Sequence, residues 1–155
     1  MSSEHESFMA LALEEARRGL QVGESPFGSV IVRDGEVVGR GYNVVASSGD
    51  PTAHAEILTV RNAAANLQSP VLKGCTLYTS CDPCPMCAGA MLFARVDRLV
   101  IAANADFLAR ITGRPPRTYS AERLAEMMSM NLEVIRGVLQ DESENLLQEY
   151  TWPKP

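Results

Sequence analysis

Phe27-Gly28-Ser29-Val30-Ile31-Val32-Arg33, then Asp34-Gly35, then Glu36-Val37-Val38-Gly39-Arg40-Gly41-Tyr42-Asn43 is a pair of β-branched runs separated by two residues. Asp-Gly tolerates the positive φ angles that a two-residue hairpin turn needs, so residues 27–33 and 36–43 are expected to pair as antiparallel strands. Upstream, residues 7–18 space Phe8, Leu11, Ala12 and Ala16 as one face of a helix, with Glu14, Glu15, Arg17 and Arg18 largely elsewhere and Gly19 or Gly23 placed to end it. Downstream, residues 54–67 read as a helix with Ile57, Leu58, Ala64 and Leu67 inward. Then come a strand at 75–79, a helix at 85–94 with Pro85 in its first turn, and a strand at 98–103. A helix at 120–130, a strand at 132–135 and a helix at 141–150 complete the chain, and 104–119, containing Gly113-Arg114-Pro115-Pro116-Arg117, reads as loop. The order α-β-β-α-β-α-β-α-β-α predicts an α/β fold of three layers, a five-stranded mixed sheet with helices on both faces.

The 155 residues contain no internal repeat and no Ser/Gly linker, which predicts a single domain over 1–155. Hydrophobic residues make up 46% and charged residues 21%, an ordinary balance for a packed globular chain rather than a disordered one. No apolar run approaches the length of a membrane span, and the acidic, polar start Met1-Ser2-Ser3-Glu4-His5-Glu6 is unlike a secretory or transit leader; the expected location is the cytoplasm. A net charge of −5 argues against a polyanionic partner such as a nucleic acid.

Four cysteines stand at 75, 81, 84 and 87, and the long segments on either side have none. A disulfide framework would spread its cysteines to close loops, so this cluster reads as metal ligands or redox chemistry. In Pro83-Cys84-Pro85-Met86-Cys87 two cysteines three apart open a helix, where both thiolates can face one point and the helix N-terminus favours their charge. His54, in Thr52-Ala53-His54-Ala55-Glu56, supplies an imidazole. Two thiolates and a neutral imidazole around Zn²⁺ sum to zero charge and leave the fourth tetrahedral position open, as in a catalytic rather than a closed structural site. One zinc per chain, carrying a water or hydroxide as nucleophile, is the expected cofactor. Cys81 extends the pattern to C-x-x-C-x-x-C, as an iron–sulfur segment does, although it reads as a small residue near the site without ligation; a redox C-x-x-C is the other competitor and leaves His54-Ala55-Glu56 without a role. Cys75, in an apolar strand, reads as a core thiol, and His5 as a surface histidine.

Glu56 lies two residues from His54, near enough to reach a zinc-bound water without ligating the metal. Zinc brings the pKa of bound water from about 15.7 towards 7, and a neighbouring carboxylate can take that proton and pass it to a leaving amine. Glu56 is therefore the candidate general acid/base.

Together these residues form H-x-E…P-C-x-x-C, a signature of zinc deaminases that act on nucleobases. The chain resembles the cytidine deaminase-like superfamily, in the branch of guanine deaminases, small cytosine deaminases and tRNA adenosine deaminases. The resemblance is carried by Ser25-Pro26-Phe27-Gly28-Ser29-Val30-Ile31-Val32, Gly41-Tyr42-Asn43, Asp50-Pro51-Thr52-Ala53-His54-Ala55-Glu56 and Leu77-Tyr78-Thr79-Ser80-Cys81-Asp82-Pro83-Cys84-Pro85-Met86-Cys87-Ala88-Gly89-Ala90. It covers about 7–103 well. It implies zinc at His54, Cys84 and Cys87, proton transfer by Glu56, a base-binding amide at Asn43, contacts from Phe27, Ala55 and Trp152, and a homodimer.

The same resemblance implies a base-reading residue just after Ala103. An ungapped reading puts Phe107 there, an apolar wall suited to a single ring such as cytosine or isocytosine; a shift of one puts Asp106 there, an acceptor suited to guanine. The expected function is deamination of a free base or a base-like aminated heterocycle. A tRNA adenosine substrate is the alternative, with Arg110, Arg114, Arg117 and Arg123 as a possible basic patch against an acidic C-terminal segment. A zinc module without catalysis is the third reading and requires a fourth protein ligand.

Overall fold

The structure, a computed structural model, describes residues 2–155. Among them five strands, β1 (Gly28–Arg33), β2 (Glu36–Tyr42), β3 (Cys75–Cys81), β4 (Arg98–Ala103) and β5 (Glu133–Arg136), form one sheet in the order β2-β1-β3-β4-β5. β1 is antiparallel to both β2 and β3, whereas β3–β4 and β4–β5 are parallel, so the sheet is mixed. The turn is the one that Asp34-Gly35 calls for: both residues have positive φ, 52° and 79°, and Arg33 faces Glu36 across it.

Strand alternation divides the core in two. Ile31, Leu77, Leu99 and Ile101 point to one face, where α3 (Ala55–Leu67), α4 (Pro85–Phe93) and α6 (Ala121–Met127) cover them with Ala63, Ala88, Met91, Leu92 and Ala125. Val30, Val32, Tyr78, Val100 and Ala102 point to the other, against Met9, Ala12 and Leu13 of α1 (Ser2–Gln21) and Val138 and Leu139 at the entry to α7 (Gln140–Gln148). The expected three layers are present.

Two helices depart from the expected order. Residues 104–119 are not all loop: α5 spans Ala105–Thr112. Asn104 caps it, its Oδ1 accepting from Phe107 N at 2.8 Å, and Gly113 closes it in the left-handed region. The prolines lie beyond that cap and do not break the helix. A single turn, α2 (Val45–Ser48), has no side-chain cap of its own. The buried Glu24 carboxylate accepts instead from Ala46 N (3.1 Å) and Ser47 N (2.7 Å).

The seat of α3 on β2 depends on glycine. A Cβ built at Gly39 would stand 2.7 Å from both the Thr59 carbonyl oxygen and the Ala63 amide nitrogen, closer than backbone atoms tolerate. Gly39→Ala should therefore destabilise the fold by about 1–3 kcal/mol through overpacking, measured as a lowered urea midpoint; an unchanged midpoint would show that α3 is free to lift.

Candidate active site

Two helix N-termini converge beyond the C-terminal end of β3. His54 occupies the N-cap position of α3, and Cys84 that of α4, with Pro85 in the first turn. Cys84 Sγ accepts from Cys87 N at 3.5 Å, a cap that turns both sulfurs to the same side. His54 Nδ1 lies 3.5 Å from Cys84 Sγ and 3.5 Å from Cys87 Sγ, and all three donor atoms fall within 4.8 Å of one another. About 2.3 Å for Zn–S and about 2.0 Å for Zn–N at tetrahedral angles place nitrogen and sulfur about 3.5 Å apart. The donor set thus fits zinc in kind and in spacing.

Three such groups so close together compete for protons. The Cys87 thiol donating to its sulfur, and then the contact with His54, pull Cys84 down to about 4 despite burial. Cys87 keeps the proton of that pair and is pushed upward, by Cys84 first and by burial second. His54 is raised by its contact with Cys84. A divalent cation resolves this competition by taking the lone pairs that the protons now occupy.

Cys81 and Cys75 stand outside the cluster. Burial pushes the Cys81 thiol up to about 12 and raises Cys75 as well, so both remain neutral thiols. The cluster of three donors among the described residues does not include Cys81.

The turn bearing Cys84 is anchored from residues far along the chain. Arg136 holds both oxygens of Asp82 at 2.8 Å and pairs with Glu122, while Ala105 N donates to Asp82 Oδ2 at 3.0 Å. Arg117 donates to the Asp82 carbonyl (3.2 Å) and to Tyr119 Oη (3.1 Å), and Tyr119 in turn donates to the Pro83 carbonyl. None of these partners carries a local motif; only their place in the fold reveals them.

The donors border a cavity of about 450 Å³, within the usual range for small-molecule sites. Glu56, 7% exposed, lies on its wall, as do Phe27, Asn43, Ala55 and Trp152. Asn43 Nδ2 donates to Ser25 Oγ at 2.9 Å, and no described residue donates to its Oδ1, which remains the acceptor on that side. Trp152 stacks at a tilt on Phe27, 5.7 Å between centroids, and its Nε1 donates to the Leu147 carbonyl. The C-terminal segment thereby forms part of its own chain's cavity.

The two candidates for a base-reading residue both lie elsewhere. Asp106 is exposed, and Phe107 is 7% exposed among Cys81, Ala103 and Leu147. Ala105, Leu108, Ala109 and Thr112 form the α5 side of the cavity instead. The helix is the reason. A loop could turn either 106 or 107 inward, but a helix shows one face, and positions 105, 108, 109 and 112 share it. Of the four arginines, Arg114 and Arg117 border the cavity, while Arg110 sits over the Phe107 ring.

Comparison with known proteins agrees with this geometry. Residues 2–103 match the family described as the cytidine and deoxycytidylate deaminase zinc-binding region. The chain is 47% identical over 101 residues to the guanine deaminase of Bacillus subtilis, 64% of this chain and 65% of that protein. It is 39% identical over 146 residues to the tRNA-specific adenosine deaminase of Haemophilus influenzae, 94% of this chain and 82% of that protein. A solved structure of the guanine deaminase from Nitrosomonas europaea superposes with a TM-score of 0.83 at 31% identity, covering 94% of this chain and 83% of the other. With a tRNA enzyme among these relatives, net charge alone does not exclude a nucleic-acid substrate. α5, the 113–119 segment and the C-terminal tail, which shape one side of the cavity, all lie beyond the family match. From the match, the sheet and the His/Cys/Cys cluster, the chain belongs to the cytidine and deoxycytidylate deaminase family of zinc deaminases.

Proposed function

We propose that this protein hydrolyses the exocyclic amine of a free aminated heterocycle, guanine first, converting ring C–NH₂ and water to the ring carbonyl and ammonia. The observation that carries the reading is the aromatic-walled cavity over the His54–Cys84–Cys87 cluster, to which the chain's own Trp152 and Phe27 contribute. Such a wall suits a flat ring that enters alone. A preference for a single pyrimidine ring requires Phe107 in the cavity wall. With Phe107 in the core that preference loses its basis, and the resemblance to two guanine deaminases favours the purine.

In this reading His54, Cys84 and Cys87 hold zinc, which when bound supplies the Lewis acidity that lets water deprotonate near neutral pH. Glu56 takes that proton on its carboxylate, delivers it to a ring nitrogen, and carries the next one to the departing amino group. Asn43 Oδ1 accepts from a ring N–H and orients the base. Phe27 and Trp152 flank its faces and exclude water, and Ala55, without a bulky side chain, lets the ring approach. A homodimer, as the resemblance implies, belongs to the same proposal, as does the cytoplasmic location expected from the sequence.

Deamination of adenosine in tRNA is the second reading, favoured by the Haemophilus relative and by Arg114 and Arg117 at the cavity. Ammonia release over guanine, cytosine, isocytosine and adenine, with inosine formation in an anticodon stem-loop RNA in parallel, separates the two. Turnover of guanine at least tenfold above the other bases, with an inert RNA, is expected. Inosine in the RNA and no ammonia from any free base would replace the first reading by the second.

A further inference from the structure

Behind Glu56, on the side away from the cavity, stands a hydroxyl with no assigned role. Thr79, in the middle of β3 between Ser29 of β1 and Ile101 of β4, is 1% exposed and does not border the cavity. Its Oγ1 donates to Glu56 Oε1 at 2.7 Å and lies 3.1 Å from the Cys81 carbonyl, so its single proton is held between those two acceptors. A companion pair ties the same helix to the sheet: Ser29 Oγ and Thr59 Oγ1 are 2.6 Å apart, and Thr59 Oγ1 lies 2.8 Å from the Ala55 carbonyl and 3.2 Å from the Ser29 carbonyl. The first turn of α3 is therefore fastened to β1 and β3 by hydroxyls, in a layer otherwise packed with aliphatic side chains.

Resting on the deaminase reading, we infer that Thr79 is the positioning residue for the proton-carrying carboxylate. It pins Oε1 against the sheet, so Oε2 is the oxygen that faces the cavity and takes up the proton. A glutamate has three rotatable side-chain bonds, and its carboxylate is twofold about the last. Without a donor on one oxygen it samples orientations in which neither oxygen is in line with the attacking water. With one oxygen committed to a charge-assisted hydrogen bond, the other is placed before substrate arrives. The Ser29–Thr59 pair fixes the helix, and Thr79 fixes the side chain.

Thr79→Val keeps the shape and removes the donor; Thr79→Ser keeps the donor and removes a methyl group. On the amine that the parent hydrolyses, Thr79→Val should lower kcat by roughly ten- to hundredfold, the scale of a hydrogen bond to a charged group. KM should stay within about twofold and zinc content should be unchanged, while Thr79→Ser returns kcat to within about threefold of the parent. A merely structural role would lower stability in both variants without this split. In protein labelled with ¹³C at the glutamate carboxyl, the Glu56 resonance, assigned by its loss in Glu56→Gln, should move in Thr79→Val and stay in Thr79→Ser. Parental kcat in the valine variant, equal losses in both variants, or an unmoved resonance each overturn the inference. A parent that releases no ammonia from any amine defeats the deaminase reading alone, since the resonance still decides the role of Thr79. If the valine variant does not fold, Thr79→Ala replaces it. If neither folds, a crystal structure of the zinc-loaded parent with Thr79 Oγ1 more than about 3.5 Å from both Glu56 oxygens overturns the inference.

Discussion

Glu56→Gln should leave the protein folded and loaded with zinc, yet turn over its amine about 10²–10⁴ times more slowly than the parent. Glutamine is nearly isosteric with glutamate and still accepts from Thr79 Oγ1 through its amide oxygen, so the 2.7 Å contact and the first turn of α3 survive. What disappears is the group that takes a proton from water and returns it to the ring and the departing amine. Glu56 is buried at the cavity wall, which leaves bulk water little access to replace its carboxylate. The measurement is kcat by ammonia release alongside metal analysis of the same preparation. A zinc-replete variant running within about tenfold of the parent would require a different base.

Cys84→Ala and Cys87→Ala should each lose the metal and, with it, all measurable turnover. Each removes one of three donors from a set with no spare among the described residues, because Cys81 lies outside the cluster. The loss at Cys84 is compounded: its sulfur is also the N-cap acceptor for Cys87 N, and Ala at an N-cap costs about 1 kcal/mol of helix stability. Cys75→Ser, a change at a neutral buried thiol in β3, should keep one zinc per chain and serve as the control. Dialysed protein assayed for zinc gives the answer. Full occupancy in Cys84→Ala would show that the ligands had been misassigned, with Cys81 the first replacement to test.

Much of this was legible because it is local. Short β-branched and apolar runs mark β1 through β4 to within two residues, and Asp34-Gly35 specified its own turn, since backbone conformation two residues long depends on those two residues. Pro83-Cys84-Pro85-Met86-Cys87 announced two donors because residues three apart at a helix start face one side wherever that helix lies, and His54-Ala55-Glu56 offered the imidazole and carboxylate that complete the pattern. α5 was also written locally, in Asn104 and Gly113, but Gly113-Arg114-Pro115-Pro116 reads as irregular chain and obscured a helix that ends just before it.

Local pattern thus determined the strands, the hairpin turn and the chemical identity of the zinc donors. Tertiary structure decided the phase of α5, which turns Ala105, Leu108 and Ala109 to the cavity and sends Phe107 to the core and Asp106 to solvent. It also decided that Glu24 caps α2 across 22 residues, that Arg136 grips Asp82 across 54, and that Thr79 holds Glu56 across 23. The physical reason is the same in each case. A short-range preference depends on torsions that neighbouring residues share, whereas a hydrogen bond between distant elements forms only once the fold has carried its donor and its acceptor to the same place, a condition that no local pattern encodes.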